Sequence, residues 1–301
     1  MSRYRPNPPP TRRGVGPSCV VTPQGPWLGV LDFLVQRFPA VSADQWHSRM
    51  LRGDVINTQG QALAPQTPFE PGLHLYYYRT LPHEVAIPFD AVVLYQDDHL
   101  LVVDKPHFLP VLPSGKYLQE TVLIRLKNTL NLPQLAPIHR IDRDTAGLVL
   151  FSVNPATRNA YHALFRERTV HKMYHAVAPW NPALHWPLRR ESRIAPAQHF
   201  MQQQEVSGTP NAITTMTPLD HRGTLALYQL EPHTGQRHQL RVHMAALGLP
   251  IVNDGIYPTL TPEGPPDYGK PLQLLAHSLA FTDPLTGEHR VFSSTRRLQW
   301  D

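Results

Sequence analysis

Apolar positions along the chain follow two regimes. From Trp27 to Tyr78 they recur mainly at helical spacing. In "WLGVLDFLVQRF" Leu31, Leu34, Val35 and Phe38 fall three or four apart, which predicts an amphipathic helix. "VSADQWHSRMLRGDV" predicts a second helix. Ser42 serves as N-cap, Gln45 completes a capping box, Trp46 and Met50 form the buried stripe, and Gly53 ends the helix in the left-handed conformation. "HLYYYR" then reads as a strand. Helix, helix and small hairpin predict a compact module over residues 27–80. "TLPHEVAIPFD", broken by two prolines, predicts a linker at 81–89.

From residue 90 to 301 the pattern predicts one mixed domain of strands and helices. "HLLVVDKP" is an apolar strand stopped by Pro106, and "LQETVLIRLKNTL" is a helix with Val122, Leu123, Leu126 and Leu130 inward. "GLVLFSV" and "VHKMYHAVAP" are strands, separated by a helix that Asn154 caps and Pro155 begins. "NAITTMTPL" and "TLALYQLEP" form a hairpin around "DHRG". "RHQLRVHMAALG" is a helix that Gly248 can end, and "LQLLAHSLAFTDP" and "GEHRVFSS" close with strands. Residues 181–210 carry little pattern and are expected to run over the surface. Helices and strands do not alternate regularly, which argues against a doubly wound sheet.

Composition changes this picture in a few places. The 301 residues, 41% hydrophobic and 17% charged, suffice for a sizeable core and two domains. The single cysteine, Cys19, excludes an internal disulfide and a multi-cysteine metal site, and favours a reducing, cytoplasmic setting. No apolar run approaches a membrane span, and the start shows no signal-peptide pattern. The net charge of +5 is concentrated at the front: Arg3, Arg5, Arg12 and Arg13 precede any acid. Residues 1–26 are therefore expected to be a basic, proline-rich tail, either solvated or touching nucleic acid. Despite 17 histidines, no H-E-x-x-H pattern occurs, so no metal is expected. Phosphate-loop, dinucleotide-binding and hydrolase-elbow motifs do not occur either.

Three segments could carry chemistry. In "APIHRIDRDTAGLVLF" the carboxylate of Asp142 precedes a buried strand, with Arg140 and Arg143 as local cations. Gly147 suggests close backbone approach. In "HKMYHAV" strand alternation puts Lys172, Tyr174 and Ala176 on one face, a floor on which a flat ligand could pack. In "PHTGQRHQLRVH" Thr234 and Gly235 could open a helix whose free N–H groups meet an anion, with Arg237 and Arg241 sharing a face. Taken singly, each also reads as ordinary structure: a loop salt bridge, a half-exposed strand, a solvated basic helix.

Together they resemble one family. "HRIDRDTAGLVLF" is similar to the H-R-L-D-x-x-T-S-G-L-L signature of RluA-type pseudouridine synthases. "YQDDHLLVVDKPHFLPVLPSG", "VHKMYHAV", "HTGQRHQLRVHMAALGLPIVNDGIY" and "LLAHSLAFTDPLTGE" resemble four further family blocks in the family's order, over roughly residues 90–295. Residues 27–79 resemble, more weakly, the small RNA-binding module that many members carry in front. Ala146, Gln236, Asn253 and Asp104 depart from the usual residues.

The resemblance implies an α+β fold: a mixed, mainly antiparallel sheet with flanking helices, plus a small N-terminal α/β module. It implies isomerisation of uridine to pseudouridine in structured ribosomal or transfer RNA, with no cofactor and no metal, by a protein expected to be monomeric. Asp142 would act at C1′ of the ribose, Arg241 would hold it ionised, and Tyr174 would stack on the uracil. His139, Arg140, Lys172 and Leu240 would contact the substrate, with Arg140 filling the space the nucleotide vacates. Competing readings are an RNA-binding protein of the same fold without chemistry and an N-glycosyl hydrolase that releases free uracil.

Overall fold

The computed structural model describes residues 9–81, 83–262 and 264–300. The chain folds as two units. One holds the described residues up to Val85 together with Pro113–Gln119; the other holds Ala86–Leu112 and the chain from Glu120 onward. The division falls a few residues ahead of the 89/90 boundary that the linker prolines suggested. Among the described residues no helix is long and apolar enough to cross a membrane.

In the first unit, β1 (Ser18–Val21), α1 (Val30–Arg37), α2 (Ala43–Leu51), β2 (Val55–Ile56) and β3 (His74–Tyr77) form a two-helix layer on a three-stranded sheet of order β1-β3-β2. The capping box of α2 is present: Gln45 N–H donates to Ser42 Oγ, and Ser42 N–H donates to Gln45 Oε1. Gly53 closes the helix at φ +70°. Val30, Phe33, Leu34, Trp46, Met50, Val55 and Leu75 make the core. The tail expected over 1–26 is corrected for its described part, from residue 9 on. Residues 18–21 pair with β3, and Arg12 is tied down by Asp54, by the carbonyl of Gly53 at 3.2 Å and by the Tyr78 ring at 3.8 Å. A partnered arginine of this kind is structural and not a free arm. Arg3 and Arg5 lie outside the described residues.

The second unit contains β4 (Val92–Gln96), β5 (Leu100–Lys105), α3 (Val122–Thr129), β6 (Ala136–Pro137), β7 (Ala146–Ser152), α4 (Arg158–Arg166), β8 (His171–Pro179), β9 (Leu188–Pro196), β10 (Gln203–Val206), β11 (Ala212–Arg222), β12 (Leu225–Pro232), α5 (Gln239–Ala246), β13 (Leu274–Thr282) and β14 (His289–Ser293). Its sheet runs β10-β9-β11-β12-β8-β13-β7-β5-β4, with β14 on β13 and β6 on β7. Every pairing is antiparallel except β13 with β7. The fold is α+β with a mainly antiparallel sheet. β5 and β7 are buried at every position, as continuous apolar runs demand of central strands. One core lies between the sheet and α5, around Tyr228, Leu230, Leu240 and Met244. Another is built around Leu148, Leu150, Tyr161 and Phe281.

Three local expectations are revised. Residues 181–210 contain β9 and β10; their outward charges hide the alternation, and Ile194 is the one fully buried side chain of β9. α4 begins at Arg158, because Asn154 spends its side chain on Ala156 N–H in a turn ahead of the helix. α5 begins at Gln239, not at Thr234. His238 sits in the left-handed region at φ +57°, and the buried Thr234 hydroxyl donates to Gln239 Oε1.

Gly147 fixes how β7 meets β13. Its φ is +108°, and a Cβ there would lie 2.2 Å from the carbonyl oxygen of Ala276, its partner in the parallel register. Gly147→Ala combines backbone strain with a clash against main chain, so it should cost about 4 kcal/mol or more. The check is thermal unfolding of the purified variant; a Tm within about 2 °C of wild type would contradict the reading.

Candidate active site

Asp142 sits in the loop between β6 and β7, and that loop is pinned by side chains from β5 and beyond. Lys105, fully buried, donates from Nζ to the carbonyls of Pro106, Leu109 and Arg143, each at 2.9 Å. His107 Nδ1 donates to Asp144 O at 2.7 Å. Burial pushes the Lys105 ammonium down to about 7, opposed by the charges of Asp144 and Asp142. Arg143 pairs with Asp144, Nε to Oδ1 at 2.8 Å. The neighbouring arginine is therefore committed to the neighbouring acid.

The cation that meets Asp142 comes from α5. Arg241 Nη1 donates to Asp142 Oδ2 at 3.2 Å, while its Nε and Nη2 form a fork on Asp254 at 2.8 and 2.6 Å. The Arg241 side chain is 2% exposed, that of Asp254 1%, and that of Asp142 26%. The pair thus has a buried anchor and one carboxylate that reaches solvent. Asp254 is itself fixed by Ile256 N–H and Tyr257 N–H, at 2.8 and 3.0 Å. Burial opposes the charge of Asp142, but the attraction of His238 and Arg241 outweighs it and holds the carboxyl below its usual value. Burial likewise opposes the charge of Arg241, and the Asp254 fork more than offsets it, so the guanidinium stays protonated.

His238 is the second neighbour of Asp142, with Nε2 3.7 Å from Oδ1. Its Nδ1 lies 2.9 Å from the hydroxyl of Tyr257, which accepts from Gln203 N–H at 2.7 Å. Burial lowers the His238 pKa, and the charge of Asp142 opposes that shift.

Sheet register places Tyr174 near this loop. Tyr174 of β8 lies opposite Ala276 of β13, which lies opposite Gly147 of β7. Two strand spacings, roughly 10 Å, separate the Tyr174 backbone from the start of β7. The Tyr174 ring packs against the Leu230–Leu240–Met244 core. Burial, and secondarily the charge of Asp142, pushes its phenol well above the usual range, so it is protonated at neutral pH.

The structure therefore brings Asp142 and Arg241 into contact, with Tyr174 on an adjoining strand. Arg140 is exposed, and its charge adds to the field that keeps Asp142 ionised. Lys172 is half-buried and donates to Thr234 O at 3.1 Å. Burial, then Arg168, lowers its pKa to about 8. It borders a cavity of about 250 Å³ that Arg168, His171 and His233 also line.

Three expected contacts are corrected. His139 accepts from Leu150 N–H at 3.1 Å and stacks on Phe165, and burial pushes it to about 3. A neutral wedge of this kind brings no charge to a phosphate. Leu240 is 7% exposed and belongs to the core. Arg237 does not share a face with Arg241; it lies ahead of the helix and donates to the carbonyls of Phe200 and Met201.

Lys105, His107, His238, Asp254 and Tyr257 were not singled out by sequence. The signal existed for two of them. "NDGIY" places Asp254 three residues before Tyr257, the spacing of a carboxylate capping the next turn.

With that geometry established, comparison with known proteins gives a consistent answer. A family model described as RNA pseudouridylate synthase matches residues 99–246. An uncharacterized RNA pseudouridine synthase of Synechocystis is 31% identical over 235 residues, covering 76% of this chain and 79% of that one. The dual-specificity RNA pseudouridine synthase RluA of Escherichia coli is 30% identical over 220 residues, covering 67% and 92%. Among solved structures, human RNA pseudouridylate synthase domain containing 1 superposes with a TM-score of 0.57 at 22% identity, over 71% of this chain and 86% of that one, and shares the fold.

Proposed function

Because the chain belongs to the family of RNA pseudouridine synthases, and is an enzyme that converts uridine in RNA to pseudouridine, we propose that Asp142 is the group that acts on the ribose and that the target lies in ribosomal or transfer RNA. The observation that carries the first part is buried Arg241, anchored on Asp254 by its fork, whose Nη1 holds the ionised, partly exposed carboxylate of Asp142.

The reaction is an isomerisation. The N1–C1′ bond breaks, the uracil turns, C5 bonds to C1′, the C5 proton leaves and N1 takes up a proton, so the formula is unchanged. Bond breaking makes the sugar electron-poor and the base electron-rich. A carboxylate beside C1′ stabilises the first, either by its charge or by bonding to carbon. Tyr174, a protonated phenol on an apolar bed, offers a face for the uracil. The uridine must leave its stack to reach Asp142, at a cost of a few kcal/mol. Exposed Arg140 and half-buried Lys172 are the cations placed to offset that through phosphate contacts. The scheme uses neither metal nor organic cofactor.

The test is incubation of purified protein with total ribosomal and transfer RNA, followed by chemical labelling of pseudouridine. New pseudouridine at one or a few positions, with no free uracil, is expected. Release of uracil would assign hydrolysis, and no change in any RNA would contradict the RNA class.

A further inference from the structure

Phe200 is 76% exposed at the tip of the β9–β10 hairpin, while most large apolar side chains of this unit are buried. A single exposed phenylalanine is common on protein surfaces. What distinguishes Phe200 is how its backbone is held. Arg237 spends its guanidinium on the carbonyls of Phe200 and Met201, at 3.0 and 3.2 Å. Gln202 Nε2 donates to Ile256 O at 2.8 Å, and Gln203 N–H donates to the Tyr257 hydroxyl at 2.7 Å. The hairpin is thereby bonded to the two segments that carry His238 and Asp254, the residues in contact with Asp142 and Arg241. His199 lies beside Phe200, ring centroids 4.9 Å apart.

The hairpin is also basic on balance. Arg189 pairs with Glu191 and Arg190 with Glu205, whereas exposed Arg193 makes no ion pair among the described residues. An exposed ring on a tip held by four hydrogen bonds and fastened to a site that acts on RNA has the makings of a stacking platform. Bases present flat faces to aromatic side chains, and sequence-tolerant stacking is worth about 1–3 kcal/mol per base. Unstacked bases are what a nucleotide-everting enzyme leaves next to its target.

We propose that Phe200 stacks on an unpaired RNA base flanking the uridine that enters the Asp142 site. This rests on the RNA reading above and extends it to a second contact. Arg237 then serves to hold the platform, and its phosphate-binding appearance in the sequence is misleading.

The experiment measures binding of a fluorescein-labelled stem-loop RNA with a uridine-rich loop to the full chain, across a salt series. Phe200→Ala should weaken binding by about 5- to 100-fold, and the factor should persist as salt rises, because stacking is not screened as phosphate contacts are. Phe200→Trp should restore the affinity, with indole fluorescence quenched on binding. Phe200→Leu, apolar but without a π face, should lose nearly as much as Phe200→Ala. Wild-type affinity in Phe200→Ala or Phe200→Leu, or loss confined to low salt, would overturn the platform. Pseudouridine formation by wild-type protein on ribosomal and transfer RNA, assayed alongside, separates this failure from failure of the RNA reading.

Discussion

Asp142→Asn is expected to lower the rate of pseudouridine formation by about 10³-fold or more, with the fold and RNA affinity kept. Asparagine has the same shape and can still accept from Arg241 Nη1, and the buried fork of Arg241 on Asp254 does not involve residue 142. What disappears is the negative charge and the nucleophilic oxygen. The variant should therefore unfold close to the wild-type temperature, bind RNA comparably and form pseudouridine only in traces under single-turnover conditions. A variant that keeps a tenth or more of the rate would remove Asp142 from the chemistry.

Arg241→Met should have the second largest effect, on stability as well as rate. Arg241 is the shared cation of Asp142 and Asp254, and its removal leaves Asp254 as a buried carboxylate without a counter-charge. Breaking such a pair costs about 3–5 kcal/mol. The pH dependence carries the sign. In wild type the Asp142 pKa lies below that of an unfolded carboxylate, so its stabilising contribution is complete above about pH 4 and fades as pH falls through the folded value. Removing Arg241 takes away one of the attractions that offset burial, so the pKa rises from its wild-type position. The acidic limb of kcat/KM should then move to higher pH, and the variant should be less destabilised in mild acid than at neutrality. Arg241→Lys returns a charge but not the fork, and should be intermediate. An acidic limb that stays where it is would show that Arg241 does not set the charge of Asp142.

Much of this site was legible in the sequence, for reasons that differ by residue. Asp142, Tyr174 and Arg241 fall in blocks whose order is itself informative, and the capping box of Ser42 and Gln45 is a local device that the chain spells out. Gly147 announced a close approach, which proves to be the Ala276 carbonyl. Some of the failures come from partners distant in sequence. Arg143 is the nearest cation to Asp142 along the chain, yet it is taken by Asp144, and the working cation arrives from 99 residues away. His139 was expected to contact the substrate, but the backbone of Leu150 claims its ring nitrogen. β9 and β10 were missed because their arginines, glutamates and glutamines obscure a period of two. Thr234 seemed a helix start because its hydroxyl is an apt cap; Gln239, buried beside it, takes that bond instead.

The most direct test is a crystal structure of the Asp142→Asn protein with a uridine-containing stem-loop RNA. An everted uridine is expected, its C1′ within about 3–3.5 Å of the residue 142 side chain and its base against Tyr174, with Arg241 still bridging residues 142 and 254. A bound RNA whose uridines all stay stacked, or an everted ribose remote from residue 142, would contradict the assignment.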